Sequence, residues 1–256
     1  ELGIEALRPV ALRDPGCLAR FRGLGPDCCP VVAYGALLPQ SLLDLVPYGF
    51  VNLHFSLLPA WRGAAPGQHA GLAGGAVTGA TTFRIVAALD AGPTFLQLIE
   101  PIAPTDTSGT LLARLSVSGA DLLVRTLDGI ADHTLTAVEQ PTEDITLAPK
   151  ITVEDARLDW SRSAAEIDRV VRGCTPAPGA WTTFRGDRLK INSGTPIDGQ
   201  RGAPGELTIT KRSVTVTAAD GTGLLLGQVQ PPGKKPMNAA DWARGVAFEP
   251  GEALGG

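Results

Sequence analysis

Val51-Asn52-Leu53-His54-Phe55-Ser56-Leu57-Leu58-Pro59-Ala60-Trp61-Arg62-Gly63 is the stretch on which the reading of this 256-residue chain turns, and Leu89-Asp90-Ala91-Gly92-Pro93 answers it 36 residues after the histidine. The approach to it, 49–54, is short, apolar and bounded by turn residues, the signature of a buried strand. Successive strand residues point to opposite faces. Asn52 and His54 therefore share one face, and Val51 and Leu53 fill the other. Polar groups at the carboxyl end of a strand in an open α/β sheet lie where such folds build their sites, and 56–59 turns the chain across that end.

Working outward, short apolar runs at 30–34, 50–54, 81–86 and 95–99 alternate with helical stretches, which reads as α/β. The clearest helix is 108–127. Thr107 or Ser108 caps it, apolar positions fall at 111, 112, 115, 119, 122, 123 and 127, and Gly129 stands just beyond its end. Residues 131–150 turn polar and irregular, as a linker between domains does. Beyond them, 163–174 has one amphipathic helical period. Short β-like runs follow at 180–184, 188–191, 205–209, 213–217 and 223–229, which suggests a small barrel. The domains expected are thus 1–131, a linker 132–152, and 153–256.

Composition bounds the class without naming it. Net charge is −4, which taken alone argues against a nucleic-acid binder. Residues 1–151 carry 9 Lys+Arg against 14 Asp+Glu, whereas 152–256 carry 13 against 12, so basic residues lean to the second part. Cys17, Cys28, Cys29 and Cys174 lack C-x-x-C spacing and are too few for a disulfide scaffold, which points to idle thiols in a reducing compartment. The uncharged stretch 63–83 holds too many glycines for a membrane helix, and the start does not read as a signal peptide.

Dinucleotide, phosphate-loop, zinc-protease and nucleophile-elbow motifs are all absent from the sequence. An amide donor, a histidine near its working pKa and a carboxylate suit general acid/base transfer at a carbonyl. Asn stabilises an oxyanion, His assists and manages a proton, and Asp orients the His or relays its proton. His69 and His133 lack such context and read as structural or solvated. Arg62 reads as anchoring its own loop through backbone carbonyls.

The run Asn52-x-His54-x-Ser56-Leu57-Leu58-Pro59-x-x-Arg62-Gly63, followed by Leu89-Asp90-x-Gly92, resembles the signature of the folate-dependent formyltransferases. Trp61 to Pro66, Ala148-Pro149-Lys150-Ile151, Asp159-Trp160-Ser161, Pro178-Gly179-Ala180-Trp181 and Gly233-Lys234-Lys235-Pro236-Met237 resemble the branch acting on methionyl initiator tRNA. The matches run in that family's order along nearly the whole chain. The resemblance implies a Rossmann-like α/β catalytic domain followed by a small OB-like β-barrel, with 10-formyltetrahydrofolate as co-substrate and no metal. It also implies initiator methionyl-tRNA as partner, no DNA or membrane, a monomer, and a cytoplasmic setting. Catalytic positions carried over are Asn52, His54 and Asp90. Folate-binding positions are Ser56, Leu57, Leu58 and Pro59, with Tyr34, Gly35, Leu37 and Leu38 as a second wall. Lys150, Arg172, Lys211, Lys234 and Lys235 are the tRNA-binding candidates. Family members begin with a strand-helix-strand unit, and this sequence opens inside what resembles the segment after it, so an N-terminally incomplete catalytic domain is expected. A different formyl acceptor, hydrolysis of the formyl donor, and an inactive folate- or RNA-binding fragment stay open as alternatives.

Overall fold

The computed structural model describes residues 3, 6, 8, 12 and 14–256. In chain order the first elements are α1 (Pro15–Leu24), β1 (Cys29–Val32), α2 (Gln40–Leu43), β2 (Phe50–His54), α3 (Pro66–Leu72), β3 (Val77–Arg84), β4 (Thr94–Pro101) and α4 (Ser108–Ala131). The chain divides into two compact units, one of 1–66, 78–100 and 115–148, the other of 67–77, 101–114 and 149–256.

The first unit is built on a four-stranded sheet of order β1-β2-β3-β4. β1 runs parallel to β2, and β3 runs antiparallel to β2 with Asn52 opposite Phe83 and His54 opposite Thr81. This is the α/β architecture expected, with 50–54 a strand as read. Val51, Leu53, Ala80 and Phe83 are buried in it, together with Leu115 and Leu122 of α4. A second apolar cluster gathers Leu42, Val46 and Phe50 with Phe21 of α1, whose ring stacks on Phe50 at 5.9 Å.

Helix α4 begins where the capping residues indicate, the Thr110 N–H donating to Thr107 Oγ1 at 3.2 Å. Its end differs from the expectation, because Gly129 lies inside the helix. Ile130 continues the buried stripe, and the left-handed residue after the helix is His133 at φ +57°. The returning chain explains why position 129 is glycine: a Cβ there would stand 2.9 Å from Leu135 Cβ. Both Thr134 and Leu135 donate their N–H to the Gly129 carbonyl. Sequence reads such a glycine as a stop, whereas here it admits a close neighbour.

The second unit adds α5 (Ala164–Gly173), β5 (Trp181–Phe184), β6 (Asp187–Ile191), β7 (Gly194–Asp198), β8 (Leu207–Ile209), β9 (Val214–Thr217), β10 (Thr222–Leu226), β11 (Gln228–Gln230), β12 (Met237–Asn238) and α6 (Ala239–Arg244). Ser163 and Glu166 form a reciprocal capping box at the start of α5. The strands fall into two sheets, β7-β10-β9-β8 and β12-β11-β6-β5, and neither closes on itself. The run 223–229, continuous in the sequence pattern, is split at Gly227 between the two sheets. Gly227 crosses against Ser193, to whose carbonyl its N–H donates at 2.9 Å. β7 escaped the sequence reading because it contains Pro196. It is an edge strand, where a residue without an N–H is tolerated. Val214, Val216, Leu224, Val229 and Ile191 meet Ile167 and Val171 of α5 in one core. Among the described residues no helix is long and apolar enough to cross a membrane.

Candidate functional site

β2 carries Asn52 and His54 to the end of the sheet, and Asp90 follows β3 in the connection to β4. The His54 ring is buried, with the Phe83 ring edge-on at 6.2 Å on the same face. Its Nε2 lies 2.9 Å from the Trp61 carbonyl oxygen. A carbonyl only accepts, so Nε2 carries the hydrogen, and in the neutral ring Nδ1 is left with its lone pair. Nδ1 faces Asp90 Oδ2 at 3.8 Å, beyond hydrogen-bond reach. Burial pushes the imidazole below its ordinary pKa, against the opposing pulls of the Asp90 carboxylate and the Trp61 carbonyl.

Asp90 sits at φ +48°, an uncommon conformation for a residue other than glycine. Its Oδ2 accepts the Gly63 N–H at 2.8 Å. The loop supplying that donor is itself fixed from 131–150, the stretch whose polarity reads as a linker. Trp61 N–H donates to Thr146 Oγ1 at 2.8 Å, Arg62 N–H to the Thr146 carbonyl at 2.9 Å, and Ala148 N–H to the Arg62 carbonyl at 2.7 Å. Val138 and Thr94 exchange backbone hydrogen bonds on the other side. Isolated bridges of this kind leave no periodicity in a sequence.

Arg62 departs from its expected role. Its Nε and Nη2 donate to the Gln140 side-chain oxygen at 3.1 and 2.6 Å, not to backbone carbonyls. Asn52 is half-buried, and among the described residues its amide has no hydrogen-bond partner, so its N–H groups are free to meet an oxygen.

The turn 56–59 is braced from below by residues that carry no signature. Thr81 Oγ1 donates to the Ser56 carbonyl at 2.7 Å and accepts the Leu58 N–H at 3.2 Å. Gln97 Nε2 donates to the Leu58 carbonyl at 3.0 Å. Ser56 is fully buried and its hydroxyl donates to the Ala60 carbonyl at 2.6 Å, so its side chain closes the turn instead of facing a ligand. Leu58 is buried as well, whereas Leu57 and Pro59 are half-buried. Of the second wall, Tyr34, Gly35 and Leu37 are exposed. Leu38 is half-buried and packs on the Leu42, Val46 and Phe50 cluster. Thr81 was missed because only the β2–β3 register puts it beside His54, and Gln97 because a glutamine at mid-strand has no distinguishing neighbours.

Lys150, Lys211, Lys234 and Lys235 are exposed in the second unit. Arg172 is not, since its Nε donates to Asp168 at 2.7 Å and Nη1 to the Asp106 carbonyl at 3.1 Å. Its spacing from Asp168 (i, i+4) was legible, but an internal ion pair and a free cation look alike in sequence. His69 Nε2 lies 2.9 Å from the Pro149 carbonyl oxygen and His133 packs beside Tyr48, matching their structural reading. All four cysteines are free thiols, and burial pushes Cys29 and Cys174 up to about 11. Among the described residues no cluster of three or more His, Cys, Asp or Glu side chains is placed to hold a metal.

Residues 3–127 match the formyl transferase family and residues 150–247 the formyl transferase C-terminal domain. A methionyl-tRNA formyltransferase of Streptomyces griseus is 61% identical over 256 residues, all of this chain and 82% of the relative. The one from Thermobifida fusca is 57% identical over the same shares. Among solved structures, HypX from Aquifex aeolicus in complex with tetrahydrofolic acid aligns with TM-score 0.67 at 17% identity, over 90% of this chain and 40% of that one. An N-formyltransferase from Helicobacter canadensis aligns with TM-score 0.59 at 18% identity, over 74% and 69%. At those identities the two structures speak to the fold alone.

Proposed function

This chain belongs to the formyl transferase family, and on that premise we propose that it transfers a formyl group from 10-formyltetrahydrofolate to the α-amino group of methionyl initiator tRNA. The observation that carries the chemistry is the 3.8 Å gap between two acceptors, Nδ1 of a neutral His54 and Oδ2 of Asp90. A nitrogen donor set about 2.8 Å from each bridges that gap with two hydrogen bonds. The α-amine, arriving as an ammonium, is such a donor. Losing one proton through this pair to solvent frees its lone pair to attack the formyl carbon, and the attacking nitrogen then gives the pair its second proton. As the new C–N bond forms, charge builds on the formyl oxygen. The unpartnered Asn52 amide donates to it there. When the bond from the formyl carbon to the folate nitrogen breaks, the proton held by His54 and Asp90 passes to that nitrogen, and the site returns to its starting state. His54 suits the task because its depressed pKa keeps it neutral, hence able to accept, near pH 7.

Leu57 and Pro59 offer half-buried apolar surface at the carboxyl end of β2, which suits one face of a flat pteridine, while Tyr34 and Leu37 offer another. We assign the β-rich second unit, as an OB-like module, to the tRNA, with Lys150, Lys211, Lys234 and Lys235 as phosphate contacts. The test is formylation of methionyl initiator tRNA by the purified protein with 10-formyltetrahydrofolate, alongside His54→Ala and Asp90→Ala. Turnover lost by orders of magnitude in both variants, with folding intact by circular dichroism, is the expected result. Near-normal rates in both overturn the site, and no formylation by the folded parent protein overturns the reaction.

A further inference from the structure

Two residues other than glycine hold positive φ around the site, Trp61 at +62° and Asp90 at +48°. Conformations of this kind persist only where the surroundings over-determine them. The segments that hold them, 61–63 and 90–92, are tied together by a single side chain reaching from the stretch 131–150. Gln140 is buried, with 9% of its surface exposed. Its Nε2 donates to the Asp90 carbonyl at 2.8 Å and the Gly92 carbonyl at 2.7 Å, and its Oε1 accepts both Arg62 bonds. One amide thereby fixes the 61–63 loop to the 90–92 loop and uses both its donors and its acceptor in doing so.

The circuit closes through the reacting groups. Trp61 supplies the carbonyl that sets the His54 ring, Arg62 is held by Gln140, Gln140 holds the Asp90 backbone, and Gly63 holds the Asp90 carboxylate. Resting on the reading above of His54 and Asp90 as the proton-handling pair, we propose that Gln140 is a positioning residue for formyl transfer. It touches neither substrate and acts by setting the separation of the Asp90 carboxylate from the His54 ring. Leucine at 140 keeps the bulk but leaves two carbonyls and the Arg62 guanidinium without their partner. Glutamate at 140 keeps the acceptor for Arg62 and loses both donors, turning a carboxylate toward two carbonyl oxygens.

The experiment measures kcat and KM for both substrates in Gln140→Leu, Gln140→Glu, Asp90→Asn and the double variant Asp90→Asn/Gln140→Leu, each checked for folding by circular dichroism. A displacement approaching 1 Å at a reacting group costs about 100-fold. Each Gln140 variant is therefore expected to lose about 10- to 100-fold in kcat with both KM values within about threefold. A residue acting through Asp90 has nothing left to position once that carboxylate is gone, so the double variant should be no slower than Asp90→Asn alone. Wild-type kcat in a folded Gln140→Glu, or a Gln140→Leu loss that multiplies in full onto Asp90→Asn, overturns the proposal. A lowered Tm with kcat intact does the same, by showing a purely structural role. Wild-type turnover in Asp90→Asn is the separate result that overturns the site reading itself.

Discussion

Replacing Gly63 with alanine tests whether the geometry around Asp90 is as tightly determined as the hydrogen bonds indicate. A Cβ on Gly63 would stand 2.6 Å from the Ala148 carbonyl oxygen and 3.1 Å from its carbon. An ordinary C···O contact is about 3.4 Å, so one side must retreat by roughly 0.8 Å. Neither side is free to do so. Ala148 donates to Arg62 and accepts from Ala65, which grips the residues flanking Gly63, and the Gly63 N–H is committed to Asp90 Oδ2. Backbone strain at φ +127° costs an alanine about 1–3 kcal/mol. Forcing a methyl into a packed site adds about 1–3 kcal/mol. The sum, about 2–6 kcal/mol, corresponds to a fall in Tm on the order of 10 °C for a chain of this length. The displacement is passed to the carboxylate, and a shift of that size at a reacting group costs on the order of 100-fold in rate. Thermal unfolding followed by circular dichroism gives the first number and formyl transfer at a temperature where the variant is folded gives the second. A Gly63→Ala variant with parental Tm and kcat would refute the reasoning, and parental kcat with a lowered Tm would refute its link to Asp90.

Three more predictions follow from the same structure. Because burial holds His54 below the ordinary histidine pKa, near 6.5, it is neutral in the folded protein between its own lowered value and 6.5, while the unfolded chain binds a proton there. Acidification through that window favours unfolding, and the rate profile should show its acid limb below 6.5; a limb at or above 6.5 contradicts the assignment of a neutral proton acceptor. Asp106 takes two bonds of 2.7 Å from Arg114 as well as the Ala103 N–H, which holds its carboxyl well below the usual range. Asp106→Asn should destabilise by about 1.5–3 kcal/mol at pH 7 by denaturant titration. The difference should shrink as pH falls below about 4 and the unfolded carboxyl retains its proton, and a pH-independent difference would rule out the charge as its cause. Finally, replacing Lys234 and Lys235 with alanine should weaken tRNA binding and flatten its salt dependence by about one unit of slope per lost phosphate contact. An unchanged slope removes these lysines from the interface.

How much was legible depended on how far apart in sequence the causes lie. Strand 50–54 and helix 163–174 were readable because their signals are local: a short apolar run bounded by turn residues in one, and Ser163, Glu166 and the apolar positions of α5 in the other. Gly129 misled because a glycine ending a helix and a glycine admitting Leu135 look the same from its neighbours alone. Apart from β7 and β12, the short strands of the second half were readable one at a time, yet their partition into two sheets was not, since Gly227 marks that break only through its contact with Ser193.

The sequence by itself determined which atoms are available for chemistry: one amide, one imidazole and one carboxylate, with Asn52 and His54 locked to one face of β2 by the two-residue period of a strand. Tertiary structure alone decided what those atoms can do. The tautomer of His54 comes from the Trp61 carbonyl, its depressed pKa from burial, and the 3.8 Å gap to Asp90 from a loop held by Gln140 fifty residues away. Residue identities and short periods are properties of the chain read in order. Distances between groups far apart in sequence, and the exclusion of water from them, exist only once the backbone has closed around them.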